Sequence, residues 1–228
     1  MKNIVLLFFA TISLGFYANP LFAQENNLGN WLMYFGTNRI TDDWSIHSEI
    51  QYRNHTVAPV NAEQLLLRTG INYHLSKTAI ATLGYGFVGS YDFESEQQAP
   101  ESKEHRIFQQ LILTNKVSRV KFEHRYRFEQ RWVNTTYKSR LRYRLMAFIP
   151  LNKPTITTGT IFLGIYDEVF LNTKQTFFDR NRLYGAVGYQ LNKPTQIQVG
   201  YLYQRVNDFG KNYLQVGLVY NPDFRKKH

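Results

Sequence analysis

Residues 119–132 read Arg-Val-Lys-Phe-Glu-His-Arg-Tyr-Arg-Phe-Glu-Gln-Arg-Trp, with charged and mostly apolar side chains in alternation. Successive side chains of a strand point to opposite faces. Arg119, Lys121, Glu123, Arg125, Arg127, Glu129 and Arg131 therefore share one face, and Val120, Phe122, His124, Tyr126, Phe128, Gln130 and Trp132 the other. The next alternating stretch repeats the division, with Arg140, Arg142 and Arg144 against Leu141, Tyr143 and Leu145. If both charged rows face the same way, cross-strand partners must sum to an odd number, as Glu129 does with Arg140 or Arg142. A slip of one residue would turn the arginines to the opposite face. Such a ladder can do one of two things. It can form a structural network in which inward acids (Glu49, Glu123, Glu129 and Glu168) neutralise the arginines, or an anion-attracting wall that binds or passes phosphates and carboxylates.

Other residues offer weaker chemistry. His74-Leu75-Ser76 has the His-x-Ser spacing of outer-membrane lipid hydrolases, but falls at a short turn with no third member. His47 and Glu49 share a face and form either an acid–base pair or a hydrogen-bonded pair. His124 falls in the outward row among aromatics. Tyr166-Asp167-Glu168 with Asn172, and Asp179-Arg180-Asn181-Arg182, suit either a Ca²⁺ site or salt bridges to nearby arginines. Asp167 falls in the outward row, which predicts a nearby bulge or a position beyond the apolar band. The absence of cysteine excludes disulfides, thiolate metal sites, Cys nucleophiles and a lipoprotein anchor. With no Gly-rich phosphate loop and no His-rich tract, no cofactor or metal is expected.

The elements that must carry these residues are strands. Eleven alternating segments are readable, at 30–39, 44–54, 63–74, 79–91, 105–115, 119–132, 138–149, 156–170, 181–191, 195–206 and 211–220. Connections alternate short (75–78, 116–118, 151–154, 191–194) and longer (55–62, 92–104, 171–180), with Leu-Asn-Lys-Pro used twice as a turn. Short turns belong to the periplasmic side of an outer-membrane barrel and longer loops to the outside. A barrel with both chain ends in the periplasm needs an even count, so the expectation is an antiparallel up-and-down barrel of about 10–12 strands. In the last segment Leu214, Val216, Leu218 and Tyr220 form one row, similar to the terminal-strand signal read by the outer-membrane assembly machinery.

Composition points the same way. Residues 4–18 are apolar, follow Lys2 and lead to Leu21-Phe22-Ala23, which predicts a signal peptide over 1–23 and one mature domain over 24–228. Beyond it no stretch approaches the roughly 20 apolar residues of a membrane helix. The chain is polar on average (mean hydropathy −0.39) yet holds 16 Tyr and 17 Phe. That profile suits a membrane barrel with one face to lipid and one to a polar lumen. The formal charge of +10 is assigned to anionic lipid, lipopolysaccharide phosphates or anionic solutes rather than to nucleic acid. The expected partners are outer-membrane lipids, lipopolysaccharide and the assembly machinery, for a barrel monomeric by default.

A set of stretches carries a resemblance. They are Trp31, Glu104-His-Arg106 with Gln109-Gln110, Glu123–Arg131, Arg140-Leu-Arg-Tyr-Arg144 before Pro150-Leu151, Tyr166–Asn172 and Asp179-Arg-Asn-Arg182. Their order resembles a family of uncharacterised exported proteins of Bacteroidetes-type bacteria, catalogued as a domain of unknown function. The resemblance implies an outer-membrane barrel of this size and brings no substrate, reaction or site residues. Three functions remain open: a non-enzymatic barrel (narrow anion-favouring channel or filled structural barrel), a lipid-modifying hydrolase, or a soluble periplasmic ligand-binding barrel.

Overall fold

The computed structural model describes residues 28–58, 60–93, 99–174 and 176–225. The expected signal peptide, 1–23, lies outside the described residues. Eleven strands follow in order: β1 (Leu28–Arg39), β2 (Trp44–Thr56), β3 (Asn61–His74), β4 (Ala79–Ser90), β5 (Ser102–Val117), β6 (Val120–Val133), β7 (Thr136–Pro150), β8 (Ile161–Asn172), β9 (Phe178–Gln190), β10 (Thr195–Val206) and β11 (Phe209–Tyr220). Each pairs with its chain neighbours, and β1 pairs with β11 to close a barrel.

The eleven strands match the eleven segments readable in the sequence, and the closed barrel is antiparallel as expected except at one seam, where the odd count replaces the even one that two chain ends on one side would need. Eleven strands running alternately up and down leave Leu28 and Tyr220 at opposite ends, so β1 and β11 can meet only in parallel. They do so from Leu28↔Asn212 to Gly36↔Tyr220. The residues after β11 extend that seam. Thr37 N–H donates to Asn221 Oδ1 at 2.9 Å, Arg39 N–H to the Pro222 carbonyl at 2.9 Å, and Phe224 N–H to the Arg39 carbonyl at 2.9 Å. Arg225 then ion-pairs with Asp42 and with Asp223. Its hydrogen bonds hold the exposed Asp223 carboxyl below the usual carboxylate range.

The rhythm of the connections is less regular than the sequence suggested. The Tyr220 end carries 40–43, 75–78, 118–119, 151–160 and 191–194; the Leu28 end carries 57–60, 91–101, 134–135, 173–177 and 207–208. The eighth strand starts at Ile161, not at 156, because 155–160 fold back. Gly159 takes φ +79, its N–H donates to the Gln190 carbonyl at 2.7 Å, and Thr160 is fully buried. Both Leu-Asn-Lys-Pro turns nonetheless use their asparagine alike. Asn152 Oδ1 accepts from Ile161 N–H at 2.9 Å, and Asn192 Oδ1 from Thr195 N–H at 3.0 Å.

The faces fall as parity requires. On the outside stand Leu83, Leu141, Val187, Val199 and the β11 row of Leu214, Val216, Leu218 and Tyr220, all exposed. Trp44, Tyr73, Tyr189 and Tyr220 ring the Tyr220 end, and Tyr52, Trp132, Tyr137 and Tyr203 the Leu28 end. The core is the barrel interior, where Leu66, Phe108, Phe162 and Leu202 are fully buried. Two interior aromatics lie flat over cross-strand glycines, Phe108 on Gly84 and Phe162 on Gly188. A Cβ at Gly84 would stand 2.2 Å from Phe108 Cζ and 2.7 Å from the Thr69 carbonyl. Gly84→Ala must displace Phe108 and is expected to cost about 1–3 kcal/mol by overpacking. Guanidinium unfolding in detergent checks this, with Ala at Gly185, where a Cβ meets nothing within 4 Å, as the neutral control.

Candidate functional site

The charged rows of β6 and β7 meet inside the barrel in the required register. Glu129 pairs with Arg140 and Arg127 with Arg142. Glu129, which water does not reach, accepts from Arg140 Nε at 2.7 Å and from Arg142 Nη1 at 2.7 Å. Arg127 Nη1 and Arg68 Nη2 stand at 3.6 and 3.8 Å from the same carboxylate. Arg142 also binds Glu168, through Nη2 at 2.7 Å and Nε at 3.1 Å, and Arg125 reaches Glu168 at 2.6 Å. A carboxylate offers about four lone-pair directions, so two glutamates and one bridging arginine lock β6, β7 and β8 together.

The network continues both ways. Arg144 bonds Glu123. Glu49 accepts from Arg68 at 2.7 Å and from Gln51 at 2.5 Å, with His47 at 3.3 Å. Glu104 holds Arg106 at 2.6 Å and also Arg131. Asp179 takes Arg140 at 2.9 Å and Arg180 at 3.1 Å. All four acids expected to face inward do so. One member of the expected ladder, Arg119, departs from it, while Lys121 keeps the inward face and lines the mouth of the lumen without a paired acid among the described residues. Arg119 precedes β6 and sits exposed in the turn, donating Nη2 to the carbonyls of Pro150 (2.5 Å) and Leu151 (3.1 Å). Lys121 is exposed at the Tyr220 end, its Nζ 5.5 Å from the Phe148 ring centroid.

The remaining candidates resolve as follows. His74 and Ser76 do not bond each other. His74 Nε2 meets Ser45 Oγ at 2.8 Å, and its Nδ1 faces Arg39 Nη1 at 2.9 Å. A hydrolase places a carboxylate on that second nitrogen to stabilise the imidazolium; a guanidinium opposes it. Ser76 Oγ lies 3.2 Å from Thr78 Oγ1. His124 faces outward and bonds the Tyr143 hydroxyl at 2.9 Å. Asp167 is outward and exposed, and both its oxygens accept from Asn181 Nδ2, at 3.1 and 3.0 Å. The bulge expected nearby comes later, between Phe170 and Leu171, and leaves its parity unchanged. Among the described residues no cluster of three or more His, Asp or Glu could hold a metal ion.

Sequence reasoning missed Arg53, Arg68, Arg106, Glu104 and Arg182. Glu104 and Arg106 make only a short pair on β5, Arg182 ends the run 179–182, and Arg53 and Arg68 are single arginines on their strands, so parity with a buried neighbour, as of Arg68 with Leu66, is what marks them as inward. These residues decide the charge balance. Arg53, Arg68, Arg106, Arg127, Arg140, Arg142 and Arg182 are buried, seven cations, against the four buried acids Glu49, Glu104, Glu129 and Glu168. Trp31 Nε1, Gln215 Nε2 and single nitrogens of Arg68, Arg125, Arg127 and Arg144 are buried without a hydrogen-bond partner among the described residues.

These groups line a cavity of about 310 Å³ that runs from Thr37, Lys121 and Asn221 at the Tyr220 end to Arg53 and Arg182. Also in the interior, Leu66, Val88, Phe170, Leu202 and Tyr213 are each at most 1% exposed, and Leu202 and Tyr213 pack with Trp31, Tyr184 and Ala186. A wider hollow of about 890 Å³ lies on the outer wall, where Leu83, Tyr126, Leu141 and Tyr143 are exposed.

The match to known families covers residues 28–215. The chain belongs to the family described as protein of unknown function, DUF2490. No curated protein and no solved structure matches it. The matched residues span all of β1 to β10 and every member of the arginine–glutamate network.

Removing the Glu129 charge leaves Arg140 and Arg142 partly uncompensated in a dry interior. Breaking a buried pair from one side costs about 3–5 kcal/mol. Glu129→Gln is expected to lose that much in guanidinium unfolding, whereas Arg205→Gln at the exposed Leu28 end should change stability by about 0.5 kcal/mol or less.

Proposed function

We propose that this DUF2490 chain is a non-enzymatic outer-membrane β-barrel of a Gram-negative bacterium, of Bacteroidetes type, with a closed lumen and a blind basic cavity. The observation that carries this reading is the outer face. All eleven strands present apolar side chains there, bounded at both ends by Tyr and Trp. A 12-residue strand is about 40 Å long at ~3.3 Å per residue; tilted by roughly 40°, it rises about 30 Å, the depth of a bilayer's hydrocarbon. A soluble barrel would expose this band to water, far beyond the apolar patch a soluble monomer carries.

The inside supports a filled barrel over an open pore. Small barrels pack their lumen with side chains, and here both ion pairs and an apolar layer fill it. The β11 row suits recognition by the assembly machinery, and on this reading the Tyr220 end faces the periplasm. The exposed rings at either end meet phospholipid and lipopolysaccharide headgroups. The excess of buried arginine makes the cavity a receiver of small anions from the Tyr220 side.

The native chain has no cysteine, so single cysteines report position cleanly. Spin labels at Leu83→Cys, Leu141→Cys, Val187→Cys and Val199→Cys in reconstituted protein are expected to show high accessibility to dissolved oxygen and low accessibility to a polar nickel complex. Labels at Thr82→Cys and Gln198→Cys should be shielded from oxygen. A chain that is soluble without detergent, with outer-face labels open to the nickel complex, would replace this reading with a periplasmic ligand-binding barrel.

A further inference from the structure

Two buried arginines make no direct ion pair among the described residues, although Glu168 stands opposite Arg182 in the register. Arg53 donates Nε and Nη2 to Gln51 Oε1, at 3.1 and 2.6 Å, and Nη1 to Gln64 Oε1 at 2.7 Å. Arg182 donates Nε to Gln204 Oε1 at 2.8 Å. Both side chains are buried, and amide oxygens are their hydrogen-bond acceptors among the described residues. An amide dipole orients a guanidinium without neutralising it, and a buried charge left in that state calls for a counter-ion. Both groups also lie over one indole, with Arg53 Cζ 4.0 Å and Arg182 Cζ 4.8 Å from the Trp31 ring centroid.

That indole brings a further donor. Trp31 Nε1 is buried with no hydrogen-bond partner among the described residues, and so is Gln215 Nε2; the two side chains are 2% and 1% exposed. The register makes Trp31 the direct neighbour of Arg53 on β2 and of Gln215 on β11. All four side chains line the same cavity. Two cations bonded to amides rather than carboxylates and two neutral donors without an acceptor among the described residues thus share one wall of a hollow that opens at the Tyr220 end.

We propose that Arg53, Arg182, Trp31 and Gln215 form a binding site for a phosphoryl oxyanion. The proposal rests on the reading of the cavity as a receiver of anions and names the group received. A carboxylate has two oxygens in one plane. A phosphoryl group spreads three peripheral oxygens in different directions, which suits donors arriving from β1, β2, β9 and β11. Arginine supplies the charge and the forked geometry that phosphate favours, and the indole and amide N–H groups supply neutral donors for the remaining oxygen. The cavity, about 310 Å³, exceeds a bare phosphate and leaves room for a small organic remainder towards Gln198 and Gln196. The phosphoryl group can come from a soluble phosphate monoester or from a lipid headgroup inserted at the Tyr220 end.

The test uses the refolded mature chain in a phosphate-free maltoside detergent, titrated by calorimetry with inorganic phosphate, glycerol phosphate, succinate and short-chain phosphatidic acid. Saturable binding of the phosphates, at least tenfold stronger than of succinate, is expected. Arg53→Gln and Arg182→Gln should each weaken it at least tenfold, and Arg205→Gln should leave it unchanged. Trp31→Phe and Gln215→Leu remove a donor and no charge, and should each weaken binding severalfold while the barrel keeps its heat-modifiable gel migration. Binding of phosphatidic acid alone supports the phosphoryl site and assigns a lipid source. No saturable binding of inorganic phosphate, glycerol phosphate or phosphatidic acid, equal binding of succinate, or binding unchanged in all four site variants would overturn the proposal. A silent, membrane-inserted barrel that binds no phosphate sinks the site and spares the filled-barrel reading; a soluble chain sinks that reading instead.

Discussion

The structure depends on where a guanidinium can be placed. An arginine facing mid-bilayer hydrocarbon costs about 2–4 kcal/mol, and one buried in a dry interior without a partner is no better off. Arg125, Arg127, Arg140, Arg142 and Arg144 lie on two neighbouring strands, so one choice of face and one register decide their cost together. The register that pairs Glu129 with Arg140 turns every one of them inward and brings Glu168 within reach of Arg125 and Arg142. A shift by one residue would turn the arginines of one of the two strands onto the apolar wall and part them from their carboxylates. The network thus specifies strand register at least as much as it adds stability.

Filling the lumen with charge constrains the rest of the barrel. Guanidinium planes need flat apolar neighbours, and Phe108, Phe170 and Trp31 supply them: Arg127 lies 4.7 Å over Phe108 and Arg142 4.2 Å over Phe170. Those rings need space, which the cross-strand Gly84 provides for Phe108. The odd strand count follows a separate logic. Parallel pairing satisfies the backbone of β1 and β11 along their shared length, and the residues after β11 continue it past Arg39. A closed circle of hydrogen bonds leaves no sheet edge, the requirement for any strand-built span of a membrane.

Much of this was legible in the sequence. Alternation fixed the strands, and the clustered charges of 119–132 and 140–144 fixed which face was inward and which residues were partners. What escaped had physical reasons. Arg53 and Arg68 are single arginines on their strands, and Arg53 and Arg182 bond glutamine amides rather than acids, so no row of opposite charge announces them. Arg119 obeys the parity of its row but belongs to the turn, where its guanidinium serves carbonyls instead of glutamates. The fold-back at 155–160 contains a Gly with positive φ inside what reads as an extended run. The parallel seam was invisible because pairing of the first and last strands is decided by closure of the whole sheet.

The proposed reading is an anion receiver in a filled barrel, and closure of the lumen is its central point. Single-channel recording of the refolded chain in a planar bilayer tests it most directly. A fully inserted barrel that stays silent at moderate voltage is the predicted result. Steady, anion-selective conductance that falls when Arg125, Arg127 and Arg142 are neutralised would contradict it, and would make the same network the wall of a pore.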